Sequence, residues 1–145
     1  KINLFFPEVN VTTYPDGKLK HLSFTHVSSH YEIDFHPNSS SEQISLCKEF
    51  KWFGKNLVIH GTTTSFSPDG NLISLSNYKD GKLDGIQQVY NSDTQLIDEK
   101  YFSKGLPVNT WTQYYYNGNV ARTITFPSSI SDWKKTEPKK KATSN

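Results

Sequence analysis

The sequence predicts an all-β protein, an elongated and twisted antiparallel meander of repeated β-hairpins with about nine to eleven strands and little or no helix. Three observations lead there. Residue kinds recur every 24 positions between Phe66 and Phe126: Phe66 returns as Tyr90 and Tyr114, Leu72 as Leu96 and Val120, Tyr78 as Phe102 and Phe126, and Gly81 as Gly105. A fixed spacing of that kind marks one supersecondary unit copied along the chain. Turn pairs punctuate each unit, as in Ser67-Pro68-Asp69-Gly70, Lys79-Asp80-Gly81-Lys82 and Tyr116-Asn117-Gly118-Asn119. Asp-Gly and Asn-Gly supply the positive φ of two-residue type I′ hairpins. Finally, only 34% of the residues are hydrophobic while 14% are aromatic, so burial must come from rings laid across a sheet rather than from a thick core.

Taken in order, the first strands are expected at Lys1–Phe6, ending at Pro7, and at Val9–Tyr14, both β-branched and aromatic. Tyr14-Pro15-Asp16-Gly17 restates the repeat turn 53 residues before Gly70, so the first half reads as a degenerate copy of the second. Lys18–Phe24 and His30–Phe35 follow, the latter alternating Tyr31, Ile33 and Phe35 with Glu32 and Asp34. Pro37–Glu42 is a loop by composition, Ile44–Phe53 a strand with room for a bulge, and Leu57–Phe66 leads into the clear repeats. After Phe126, Ser128–Lys135 reads as a short cap or docked tail in which Ile130 and Trp133 can cover the last edge, and the chain from Thr136 has the composition of a disordered tail. The organisation is one domain in three parts: 1–65, 66–126 and 127–145.

These residues resemble a known family. Tyr78-Lys79-Asp80-Gly81-Lys82-Leu83-Asp84-Gly85 followed by Val89-Tyr90, and Gly105 followed by Trp111-Thr112-Gln113-Tyr114-Tyr115-Tyr116-Asn117-Gly118, are similar to the MORN-type repeat Tyr-x-x-Gly-x-x-x-Gly-x-x-x-x-Tyr, and more closely to its bacterial variant in antitoxin-like and envelope proteins. The resemblance covers 66–126 and thins before it. Two positions depart from it: Asn109 stands where Gly85 leads one to expect glycine, and Ser92-Asp93-Thr94 replaces a glycine turn. It implies a hairpin scaffold for binding, a bacterial source, and an envelope or secreted location in preference to the cytoplasm.

For function, the aromatic columns come first. Trp111, Tyr90, Tyr114, Tyr115 and Tyr116 are the candidate binding residues, with neighbouring hairpins expected to set their rings side by side. Trp111 leads because its repeat equivalents, Gln87 and Thr63, are polar, so that position does not demand a core residue. His30, Asp34 and His36 share a strand parity, but no metal centre is expected from a spacing interrupted by a loop. The single cysteine, Cys47, excludes an internal disulfide and lacks the surroundings of a nucleophile. Asp98-Glu99 and the pair Asp80 and Asp84 read as polar strand and turn positions, and Gly81-Lys82-Leu83-Asp84-Gly85 lacks the ending of a phosphate-binding loop.

No cofactor is expected, and the formal net charge of +2 argues against a specific nucleic-acid partner. No apolar run approaches the roughly 20 residues of a membrane-spanning helix. The expected partner is a protein, with self-association and a weak contact of the lysine-rich tail (Lys134, Lys135, Lys139, Lys140, Lys141) with an anionic surface as further possibilities. The chain is expected to be a non-catalytic binding or scaffolding module. Its alternatives are a targeting or regulatory domain of a larger bacterial effector or envelope enzyme, and an antitoxin-like binder of a toxin.

Overall fold

A computed structural model describes residues 9–37 and 42–136. The expected strand Lys1–Phe6, most of the serine-rich loop and the tail lysines 139–141 lie outside the described residues. Eleven strands and one helix follow in order: β1 Val9–Thr13, β2 Leu19–His26, β3 Ser29–Phe35, β4 Ile44–Phe53, β5 Asn56–Ile59, β6 Gly61–Phe66, β7 Leu72–Lys79, β8 Lys82–Tyr90, β9 Leu96–Ser103, β10 Leu106–Tyr114, β11 Val120–Thr125 and α1 Ile130–Thr136. They form one antiparallel sheet in sequence order, with β5 and β6 sharing β4 as their partner. The N-terminal hairpins therefore continue the sheet, as an extension of the repeats.

The spacing of 24 appears in three dimensions as repeated backbone bonds. Gly81 N–H donates to the Ile59 carbonyl and Gly105 N–H to the Leu83 carbonyl, each at 2.8 Å, so these two hairpin tips are each tied to the preceding unit. Pro107 carries the next carbonyl in this series. Among the described residues its partner is the indole Nε1–H of Trp133, so a side chain of α1 takes the place of a further glycine turn. The helix is fixed there by a reciprocal N-terminal cap: Asp132 N–H donates to Ser129 Oγ at 3.2 Å, and Ser129 Oγ–H donates to Asp132 Oδ2 at 2.9 Å.

The turns differ from the expected type I′ pairs at one end of the sheet. Only Asp80-Gly81 (φ 52° and 84°) and Lys104-Gly105 (φ 48° and 83°) carry two left-handed residues in a two-residue turn. Ser67–Gly70, Asn91–Thr94, Tyr115–Gly118 and Tyr14–Gly17 are instead longer turns in which the fourth residue alone is left-handed and donates to the first carbonyl at 2.9–3.0 Å. A register shift follows each in the adjoining strand, the arrangement of a three-residue loop with a glycine bulge. Tyr115, not Tyr116, therefore opens the last turn. Thr94 holds the glycine's conformation at φ 62° despite its branched Cβ, and Asn109, at φ 60°, does the same in the column of Gly61 and Gly85.

Burial is shallow. Among the described residues the core contains Phe35 and Val108, no side chain is fully enclosed, and most strand positions are half-buried on both faces. Among the described residues the sheet is a single layer whose packing comes from cross-strand neighbours.

Candidate binding site

Strand alternation gathers one set of side chains on a face of β9, β10 and β11. Gln113 pairs with Asp98 on one side and Arg122 on the other, while Trp111 lies opposite Ile124. Together with Lys100 these residues line a cleft with room for about 90 Å³ of water-sized contents. Trp111 forms its floor. Its ring lies 5.1 Å from Phe102 and 4.7 Å from Phe126, and Phe126 stacks at 6.0 Å on Trp133. The Trp111 Nε1–H donates to the Tyr101 carbonyl at 3.0 Å, and the Lys100 ammonium sits 5.1 Å from the centre of the ring. Trp111 reaches this position from an irregularity in β10, where three residues, Asn109 to Trp111, face a single residue of β9.

The cleft has balanced but unspent polarity. Asp98 carries a buried Oδ1 with no hydrogen-bond partner, while its Oδ2 lies 3.6 Å from Lys100. A buried acceptor of this kind is costly unless a donor reaches it. An exposed arginine, an aromatic floor and an orphaned carboxylate oxygen can together receive a side chain that has both an apolar stem and a polar end.

The structure does not bring the five candidate aromatic residues into one platform. Tyr90 lies on the opposite face, where its hydroxyl donates to Gln88 Oε1 at 3.0 Å, Gln88 donates to Glu99 at 2.8 Å, and Tyr101 donates to the same carboxylate at 3.0 Å. The hydrogen bond to Glu99, followed by burial and then nearby charge, raises the Tyr101 hydroxyl above its ordinary value. Tyr114 ends β10, and Tyr115 and Tyr116 leave the strand for the turn, 60% and 66% exposed. The expected side-by-side column of Phe66, Tyr90 and Tyr114 fails for a geometric reason. Residues one period apart are two strands apart, roughly 9.5 Å at normal strand spacing, so rings meet only between adjacent strands. The contacting row is Phe102, Trp111, Phe126 and Trp133. The residues that sequence reasoning missed, Asp98, Lys100, Gln113 and Arg122, join Trp111 only once the cross-strand register is known.

The histidines are dispersed. His21 pairs with Asp34 at 2.7 Å, His30 Nδ1 meets Thr25 at 3.1 Å, and His36 Nε2 donates to the Phe66 carbonyl at 2.6 Å. Cys47 is half-buried, and burial, then the nearby Glu49 carboxylate, pushes its thiol above the ordinary value. That is the reverse of an activated nucleophile.

Compared with known proteins, residues 59–80 and 107–126 match a family model described as MORN repeat variant. No curated protein and no solved structure matches. The two segments are β6–β7 and β10–β11 with the residues leading into them, two periods apart. The unmatched unit between them is the one whose turn carries Thr94 in place of glycine. On the two matched segments and the repeated hairpins, the chain is a MORN-type repeat protein, built on a type of repeat that serves binding.

Proposed function

We propose that this protein is a non-catalytic binding module whose Trp111 face receives a protein partner. The observation that carries this reading is the open cleft of Asp98, Lys100, Gln113 and Arg122 over Trp111, set in a row of rings that hold one another in place. Tryptophan and arginine are the residues that most often dominate interface energies, and here the chain's single arginine stands beside an aromatic floor. Because neighbouring strands fix the cleft before any partner arrives, little ordering cost falls on binding. The acceptor Asp98 Oδ1 selects a partner group with a donor, and Arg122 selects one with an acceptor.

The test is capture of partners from native lysate by the intact chain, by Trp111→Ala and by Arg122→Glu. Arg122 is exposed, so its substitution leaves the fold in place. A protein held by the intact chain and lost by both variants is the expected result. Retention by Arg122→Glu at the same level would overturn the assignment of the cleft.

A further inference from the structure

The β4–β5 hairpin departs from the repeat. Its pair Phe50 and Ile59 corresponds to Tyr78 and Leu83, because Ile59 and Leu83 accept the same glycine N–H bond. Beyond that level β7–β8 adds one more pair and a turn, whereas β4–β5 adds three pairs before Gly54-Lys55. The two additional pairs carry this finger roughly 7 Å past its neighbour at normal strand rise. Trp52 is 53% and Phe53 64% exposed on it, and Lys55 stands at the apex. Ser29 pairs with Lys51, so the turn of the adjoining β2–β3 hairpin lies level with Trp52. Its Val27 is 88% exposed and held at φ 56°, a costly conformation for a branched residue.

The other end of β4 carries the complement. Ile44, 36% exposed, opens the strand there and lines a broad cleft with Glu42, Gln43, Phe66 and Gly70. The cleft has room for about 280 Å³ of water-sized contents, against about 90 Å³ over Trp111. Charge is segregated between the two ends. The four turn regions at the finger end, 26–29, 51–58, 79–82 and 103–106, hold Lys51, Lys55, Lys79, Lys82 and Lys104 against Asp80, which is paired with Lys51; Asp84 stands just behind, accepting from Lys104 N–H at 3.0 Å. The described turn residues at the cleft end hold Asp16, Glu42, Asp69 and Asp93 against Lys18.

We infer that this chain assembles head to tail: the finger of one copy enters the Ile44 and Phe66 cleft of the next, with Trp52 and Phe53 against the apolar walls and the Lys55 ammonium toward Glu42. Finger and cleft mark the two ends of β4, so a displacement along the strands joins them. The same displacement brings the turns carrying Lys79, Lys82 and Lys104 toward those carrying Asp69 and Asp93. Aromatic anchors seated in an apolar cleft supply the affinity of such a contact, and opposite charges at the two ends orient the approach. Because the two surfaces differ, every complex keeps a free finger and a free cleft, and growth continues past two copies. The contact uses neither Trp111 nor Arg122, so it stands independently of the partner cleft.

The experiment is sedimentation velocity of the purified chain from micromolar to near-millimolar concentration. The mass is expected to rise past that of a dimer, and the association to weaken severalfold at raised salt. It should fall at least tenfold in Trp52→Ser with Phe53→Ser, and as much in Glu42→Lys with Ile44→Ser. Each double variant keeps one intact surface, so an equimolar mixture of the two should form a one-to-one complex and nothing larger. Circular dichroism matching that of the intact chain establishes that both variants are folded. Four outcomes overturn the proposal: a chain that stays monomeric throughout, which would leave the finger to a different occupant; growth that stops at a dimer; double variants that associate as tightly as the intact chain; or folded double variants that do not associate when mixed.

Discussion

The two lateral edges of the sheet are finished differently, and the contrast shows what a repeat needs in order to stop. At the C-terminal edge, α1 lays Trp133 against Phe126 and gives its indole N–H to the Pro107 carbonyl, the group a further hairpin would use. At the other end of the described sheet, β1 pairs with β2 alone, carries no charge, and leaves Val9 and Val11 about half exposed. The tip of the last hairpin is thus closed by a side chain that imitates the backbone of the missing unit, while β11 itself pairs with β10 alone and is exposed along most of its length. The N-terminal edge has no such closure among the described residues. Edge strands of that kind invite pairing unless something blocks them.

The sharpest way to break this contrast is Trp133→Ala. It removes a ring packed on Phe126 and leaves the Pro107 carbonyl without its donor, so a loss of about 2–3 kcal/mol is expected in chemical denaturation, scaled down from full aromatic burial because the site is half-exposed. Val11→Ala on the open edge should cost under ~1 kcal/mol. Equal losses would mean that the helix is not a cap. Next in size is Gly61→Ala. A Cβ there would lie 2.3 Å from Glu49 Oε2 at φ 86°, against open space at Gly54, so Gly61→Ala should cost about 2 kcal/mol and Gly54→Ala about 1 kcal/mol.

Thr94→Gly should act in the opposite sense and raise stability by up to about 1 kcal/mol, since it relieves a branched residue held at φ 62°. The smallest effect is on pH dependence. Hydrogen bonding from Ser129, aided by Ser128 and Lys135, holds the Asp132 carboxyl below its ordinary 3.8. A depressed carboxyl stabilises the folded cap above the unfolded value, and that contribution disappears as pH falls through the lowered one. Trp133 fluorescence should therefore begin to change below about pH 4 in the intact chain, and the change should be absent in Asp132→Asn.

Much of this architecture was legible in the sequence because a repeat states its own period. Leu72, Leu96 and Val120 each open a strand, and the Tyr14–Gly17 turn has the same bonds as Ser67–Gly70, so the degenerate first half was visible through one motif. The cleft was not legible beyond Trp111. The bulge at Asn109 to Trp111 keeps the alternation of faces but shifts the residues that follow by two positions, so Gln113 meets Asp98 and not Leu96. Tyr90 is on the other face by ordinary alternation, since its neighbour Val89 pairs with Asp98, and the turn removes Tyr115 and Tyr116 from the strand. The long β4–β5 finger was hidden as well, since its extra length depends on Gly61 aligning with Gly85, and on Gly54 lying in the turn. The cap was visible as Ile130 and Trp133, but its manner of closure was not, because nothing in a tryptophan's sequence position says that its indole will replace a glycine N–H.

The most direct measurement uses the three tryptophans as reporters, because Trp52 marks the finger, Trp111 the cleft and Trp133 the cap. In a nitrogen-labelled sample the three indole N–H signals can be assigned by single substitutions and followed while the captured partner protein is added. A shift of the Trp111 signal at stoichiometric partner, with Trp52 unmoved, is the result expected of a binding module that uses its Trp111 face. A saturating complex that leaves the Trp111 signal in place would contradict it.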